Sequence, residues 1–166
     1  MAGEQLQNLI YQWLDKNFPN GVDWQSTDDR DLHMPVEIKM ILAFDALEAN
    51  IDNGGWAQLL WNCLGQWRLL LKIAKNGYLS IGAFPQAEAI DRVWALCEES
   101  ESECAIAQAA AGDTLDGFAE FTARSYGTGP DWQQLFYHSA PVYDQRLVWL
   151  EHNEALVRRA VGLHEH

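Results

Sequence analysis

The chain has 166 residues, 48% of them hydrophobic, with eight tryptophans that need cover; it can bury one sizeable core and is too apolar for a disordered segment. Twenty-four acids against eleven bases leave a formal charge of −13 and a pI near 4.6, a balance that repels nucleic acid and anionic membrane surfaces and attracts basic protein faces. No basic-then-apolar leader opens the sequence, no apolar run nears the roughly 18 residues that cross a bilayer, and Cys63, Cys97 and Cys104 form no C-x-x-C pair, so we expect a cytoplasmic protein without disulfides, zinc or membrane contact.

Strand-like alternation is scarce, whereas helical periodicity recurs. Leu6, Leu9, Ile10, Trp13 and Leu14 make one stripe, closed at Asn17-Phe18-Pro19. Residues 20–33 read as a polar loop containing Asp28-Asp29-Arg30-Asp31. Pro35 suits the first turn of a second helix, with Met40, Phe44, Leu47 and Ile51 on one face and Ile38, Ile41 and Leu42 on others, the pattern of a central helix. Asn53-Gly54-Gly55 is expected to close it in a tight turn. Trp56, Leu59, Leu60, Cys63, Leu64 and Trp67 then repeat at three and four, with a bend at Gly65 and a stop at Asn76-Gly77. Pro85 to Glu99 reads as one helix and Glu103 to Ala111 as another, with the acidic run between them. Asp113-Thr114 to Ser125 gives a further helix, and Asp131 to about Val161 gives one or two more around Pro141. The expectation is a single all-α domain over 1–166, a bundle of about six to nine helices without a sheet.

Chemistry is hard to find. His33, His138 and His152 match no metal-binding spacing, Ser80 and Ser139 stand in no nucleophile elbow, and Cys63 lies on an apolar stripe. Neither a phosphate loop nor a dinucleotide fingerprint occurs. We therefore expect no catalytic residue, no metal and no cofactor. One polar set stands out: Gln58 and Asn62 share a helix face one turn apart, just after Asn53. Their simplest role is structural, the amides tying down a neighbouring backbone and Asn53 capping the helix.

The order Glu48…Asn53-Gly54-Gly55-Trp56…Gln58…Asn62 resembles the signature of the DNA-mimic protein family, and Leu115-x-x-Phe118 before a long C-terminal helix is similar in pattern. The resemblance covers about 35–160. It implies an all-helical homodimer that stands in for double-stranded DNA on the DNA-binding face of a transcriptional regulator. A mimic needs carboxylates at phosphate-like intervals. Two clusters offer them: Asp28, Asp29 and Asp31 in a loop, and Glu98, Glu99, Glu101 and Glu103, with no basic residue between Arg92 and Arg124. The expected partner is a basic DNA-binding protein, with no direct nucleic-acid contact. The alternative is a toxin-neutralising or general protein-interaction module whose acidity complements a basic partner without copying DNA. Plain solvated acidic turns would produce the same two clusters.

Overall fold

Seven α-helices and one 3-10 turn, with no strand, make up the described part of the computed structural model, which covers residues 2–24, 33–112, 114–125, 131–136 and 140–163. In chain order they are α1 (Ala2–Asn17), α2 (Val36–Asn62), α3 (Trp67–Ser80), α4 (Phe84–Ala111), α5 (Leu115–Ser125), the 3-10 turn Asp131–Phe136, α6 (Ala140–His152) and α7 (Glu154–Ala160). The all-α expectation holds.

Helix α2 is central because apolar residues spread around most of its circumference. Ile38, Met40, Ile41, Ala43, Phe44, Leu47 and Ile51 are all buried, as are Trp56, Ala57, Leu59, Leu60 and Trp61 beyond its midpoint. A helix so broadly apolar must be covered on several sides, and α3, α4, α5, α7 and the 3-10 turn all pack on it. Trp56, Leu60 and Cys63 lie in the core as their stripe predicts, with Leu64 half-buried against it. The Asn53-Gly54-Gly55 turn is sharper and shorter than the sequence suggests. Helical hydrogen bonding runs on either side, and only Gly54 (φ −162°) and Gly55 (φ 71°) leave helical geometry.

Two other expected boundaries move. Asn76-Gly77 does not end α3, which continues to Ser80. Gly77 lies inside the helix because α2 comes too close for a side chain: a Cβ there would sit 2.5 Å from Met40 Cγ and 2.7 Å from Phe44 Cζ. That approach lets Tyr78 stack on Phe44 with ring centroids 4.3 Å apart. The acidic run does not separate two helices either. Residues 84–111 form one helix, since Ile90, Val93, Cys97 and Cys104 continue a buried stripe beneath it. The three cysteines are buried, and burial pushes the Cys63 and Cys104 thiols up to about 12, which keeps them unreactive.

A buried guanidinium ties the helices together. Arg146 of α6, 3% exposed, donates to both carboxylate oxygens of Glu48 at 2.8 Å and to Asp45 Oδ1 at 3.0 Å. It lies 5.0 Å from the Phe44 ring centroid. Tyr78 donates its hydroxyl to Glu48 at 2.8 Å, and from α1 Gln7 Nε2 donates to Tyr11 Oη at 2.7 Å. Burial raises the Asp45 carboxyl above its ordinary range, with Arg146 and a hydrogen bond from Tyr11 opposing it. Four helices thus meet on one charge cluster.

Candidate partner-binding surface

The acidic face begins with α4 being a single helix. With 100° between successive residues, the run Glu98-Glu99-Ser100-Glu101-Ser102-Glu103 cannot point one way. Glu98 and Glu101 lie toward α3, and Glu99 and Glu103, four apart, lie on the outward side. The surroundings differ accordingly. Glu101 is half-buried and fully engaged: Arg68 of α3 holds it with two hydrogen bonds at 2.7 and 2.8 Å, and Trp67 Nε1 donates to it at 3.0 Å. The Arg68 guanidinium lies 4.1 Å from the Trp67 ring centroid. These hydrogen bonds, Arg68's first, hold the Glu101 carboxyl below its usual range. Glu98 reaches the edge of the same guanidinium at 3.9 Å and is 62% exposed. Glu99 and Glu103 are exposed.

Further along the α3 seam, Lys75 pairs with Asp91 at 2.5 Å. One side of α4 is therefore neutralised by α3, and the outward side carries Glu88, Glu99 and Glu103 with Arg92. The sequence offered no sign that Glu101 differs from its neighbours, because Arg68 lies 33 positions away. Asp28, Asp29 and Asp31, the other acidic cluster, lie outside the described residues.

The glycine-amide stretch has a different geometry. Breaking the helix at Gly54-Gly55 leaves the Trp56 N–H without its usual helical acceptor, and Gln133 Oε1 accepts it at 2.8 Å from the 3-10 turn. Gln133 is 3% exposed, so this is a buried cap. The capping role expected of Asn53 thus falls to a residue 77 positions away, and Asn53 itself makes no side-chain hydrogen bond among the described residues. Gln108 does for the far end of α2 what Gln58 or Asn62 was expected to do, donating to the Trp61 carbonyl at 2.6 Å. Asn62 instead donates to the side chain of Asn50 at 2.7 Å. Gln58 folds back over Gly54, its Oε1 occupying the place a Cβ would need. The two glycines therefore serve different ends: positive φ at Gly55, room for Gln58 at Gly54.

Beside this stretch lies a groove of about 210 Å³ lined by Gln58, Trp61, Asn62, Thr114, Leu115 and Phe118. Thr114 sets its second wall by capping α5: its hydroxyl accepts from Gly117 N at 3.1 Å. Phe118 meets Trp61 edge-on at 5.7 Å, and Leu115 is left 85% exposed. No group of three His, Cys, Asp or Glu side chains among the described residues is arranged to hold a metal ion. Nor is any described helix long and apolar enough to cross a membrane.

Fold and surface together define an acidic, all-helical protein whose longest helix carries carboxylates on its outward side. A family model described as DMP19-like protein matches residues 33–153, and the chain belongs to that family. The match supports the DNA-mimic family expected from the sequence, and its range falls close to the expected 35–160. Searches of curated proteins and of solved structures found no match.

Proposed function

We propose that this protein works by binding rather than catalysis, as an acidic mimic of double-stranded DNA that occupies the DNA-binding face of a basic protein such as a transcriptional regulator. The observation that carries this reading is the outward side of α4, where Glu99 and Glu103 stand exposed with Glu98 at the border of the α3 seam. At about 1.5 Å of rise per residue, Glu99 and Glu103 are roughly 6 Å apart along the axis. That is the scale of two phosphate steps at about 3.4 Å each along one DNA strand. Membership of the DMP19-like family supports the same reading. Of the acids named from sequence, Glu98, Glu99 and Glu103 are assigned to the contact, with Glu101 positioned behind them by Arg68. Asp28, Asp29 and Asp31 are proposed as further contact residues. The working form is a cytoplasmic homodimer, which would double the length of the acidic face.

Displacement is the test. A fluorescein-labelled duplex is bound to a purified helix-turn-helix regulator, and this protein is titrated in while anisotropy is followed. Mimicry predicts loss of anisotropy at low salt and steep weakening as salt rises, because exposed charges more than about 10 Å apart are screened at roughly 0.1 M. It also predicts no binding of the protein to the duplex alone. If no basic DNA-binding protein in a panel is displaced at any salt, the mimicry reading is wrong.

A further inference from the structure

The glycine-amide stretch and Leu115-x-x-Phe118 are 53 positions apart at their closest matched residues, Asn62 and Leu115, yet they form the two walls of one groove. Three properties of that groove indicate what it takes. Its volume, about 210 Å³, falls below the roughly 300–1,000 Å³ of small-molecule sites, which suits a single side chain. Its apolar wall is Trp61, Phe118 and a leucine left 85% exposed. Its polar wall is a matched pair: with Oε1 of Gln58 turned onto Gly54, Nε2 is left as a donor, and Asn62, having given Nδ2 to Asn50, keeps its oxygen as an acceptor. Neither atom has a hydrogen-bond partner among the described residues. A donor and an acceptor one helical turn apart complement the C=O and N–H of an extended peptide.

We propose that this groove is a second contact, at which an extended segment of the partner lays one apolar side chain between Trp61, Leu115 and Phe118 while Gln58 and Asn62 hold its main chain. Charge sets the sequence around that side chain. No lining residue is charged, Asp116 stands exposed beside Leu115, and the chain carries −13, so the flanking residues of the guest are Lys or Arg. This deepens the proposed function and rests on its basic protein partner. The acidic helix supplies screened, sequence-indifferent attraction, and the groove adds the buried anchor that selects one basic protein from many.

The test is an NMR titration of the full-length, isotope-labelled protein with two capped pentapeptides, Lys-Lys-Leu-Lys-Lys and Lys-Lys-Ser-Lys-Lys. The side-chain amides of Gln58 and Asn62 should shift with the leucine peptide, whose affinity should exceed that of the serine peptide at least fivefold. Leu115→Ser, at an exposed position, should erase that difference with the amide spectrum otherwise unchanged. Equal affinity of the two peptides, with shifts confined to Glu98, Glu99 and Glu103, would overturn the groove and leave the acidic face standing. Shifts at Gln58 and Asn62 that grow with protein concentration alone would also overturn it, by making a second copy of the chain the occupant. The leucine-against-serine difference reads the groove, and duplex displacement reads the mimicry, so each idea fails separately.

Discussion

Asp45 and Glu48 on α2 share one buried guanidinium, whereas Glu98, Glu99 and Glu103 on α4 are exposed, Glu98 at the edge of Arg68. The first pair fixes four helices around Arg146. The second set is exposed, and exposed charges contribute little to stability. Glu101 falls between them, half-buried and gripped by Arg68. The same residue type thus serves structure inside and, in the proposed function, recognition outside, with burial separating the two roles. Substitutions should divide along that line.

The largest effect is expected inside. Arg146→Met removes a buried cation from the half-buried carboxylates of Asp45 and Glu48 and should lower stability by about 3–5 kcal/mol, read by urea denaturation. A loss under about 1 kcal/mol would mean the cluster is solvated and that the contrast with α4 does not exist. Next comes the glycine pair. Gly55→Ala places a side chain at φ 71° and should cost about 1–3 kcal/mol. Gly54→Ala should cost less, because its φ is extended and the Gln58 amide in its way can swing aside. Equal losses at both positions would contradict the separate roles assigned to them.

Glu101→Gln should be milder still and visible chiefly in its pH dependence. Its carboxyl is held below the ordinary range by Arg68, so the pair's stabilisation is present above that range and fades as pH falls through the lowered value. Melting temperatures from about pH 7 to about pH 3 should show a shallower acid decline in the variant than in the wild type. Identical declines would place Glu101 with its exposed neighbours.

Much of the fold was legible because burial imposes a period. Leu6 to Leu14 and Trp56 to Trp67 declare their helices without help. The misplaced boundaries share a cause: local signals outweighed tertiary ones. Gly77 looks like a terminus in sequence and is a contact point with Met40 and Phe44 in space. The acids at 98–103 look like a solvated turn, yet Cys97 and Cys104 are seven apart, two helical turns, and mark an unbroken inner stripe that could have been read. The candidate surface was half visible. Its carboxylates were plain, but the pairing of Arg68 with Glu101 and the cap from Gln133 to Trp56 join residues 33 and 77 positions apart, beyond any local pattern. The convergence of Gln58 and Asn62 with Leu115 and Phe118 was likewise out of reach, since only packing brings α5 to α2.

The outward acids of α4 are proposed to recognise a partner while contributing little to the fold, and the combined variant Glu98→Gln, Glu99→Gln and Glu103→Gln tests this most directly. Its displacement of labelled duplex from a helix-turn-helix regulator should be set beside that of a control with three exposed acids changed elsewhere, Glu4→Gln, Asp15→Asn and Asp144→Asn. The account predicts that the α4 variant melts within about 0.5 kcal/mol of wild type and requires at least tenfold more protein to displace the duplex, while the control displaces it nearly as well as wild type. Equal displacement by the two variants would contradict it, reducing the acidity of α4 to a means of staying in solution.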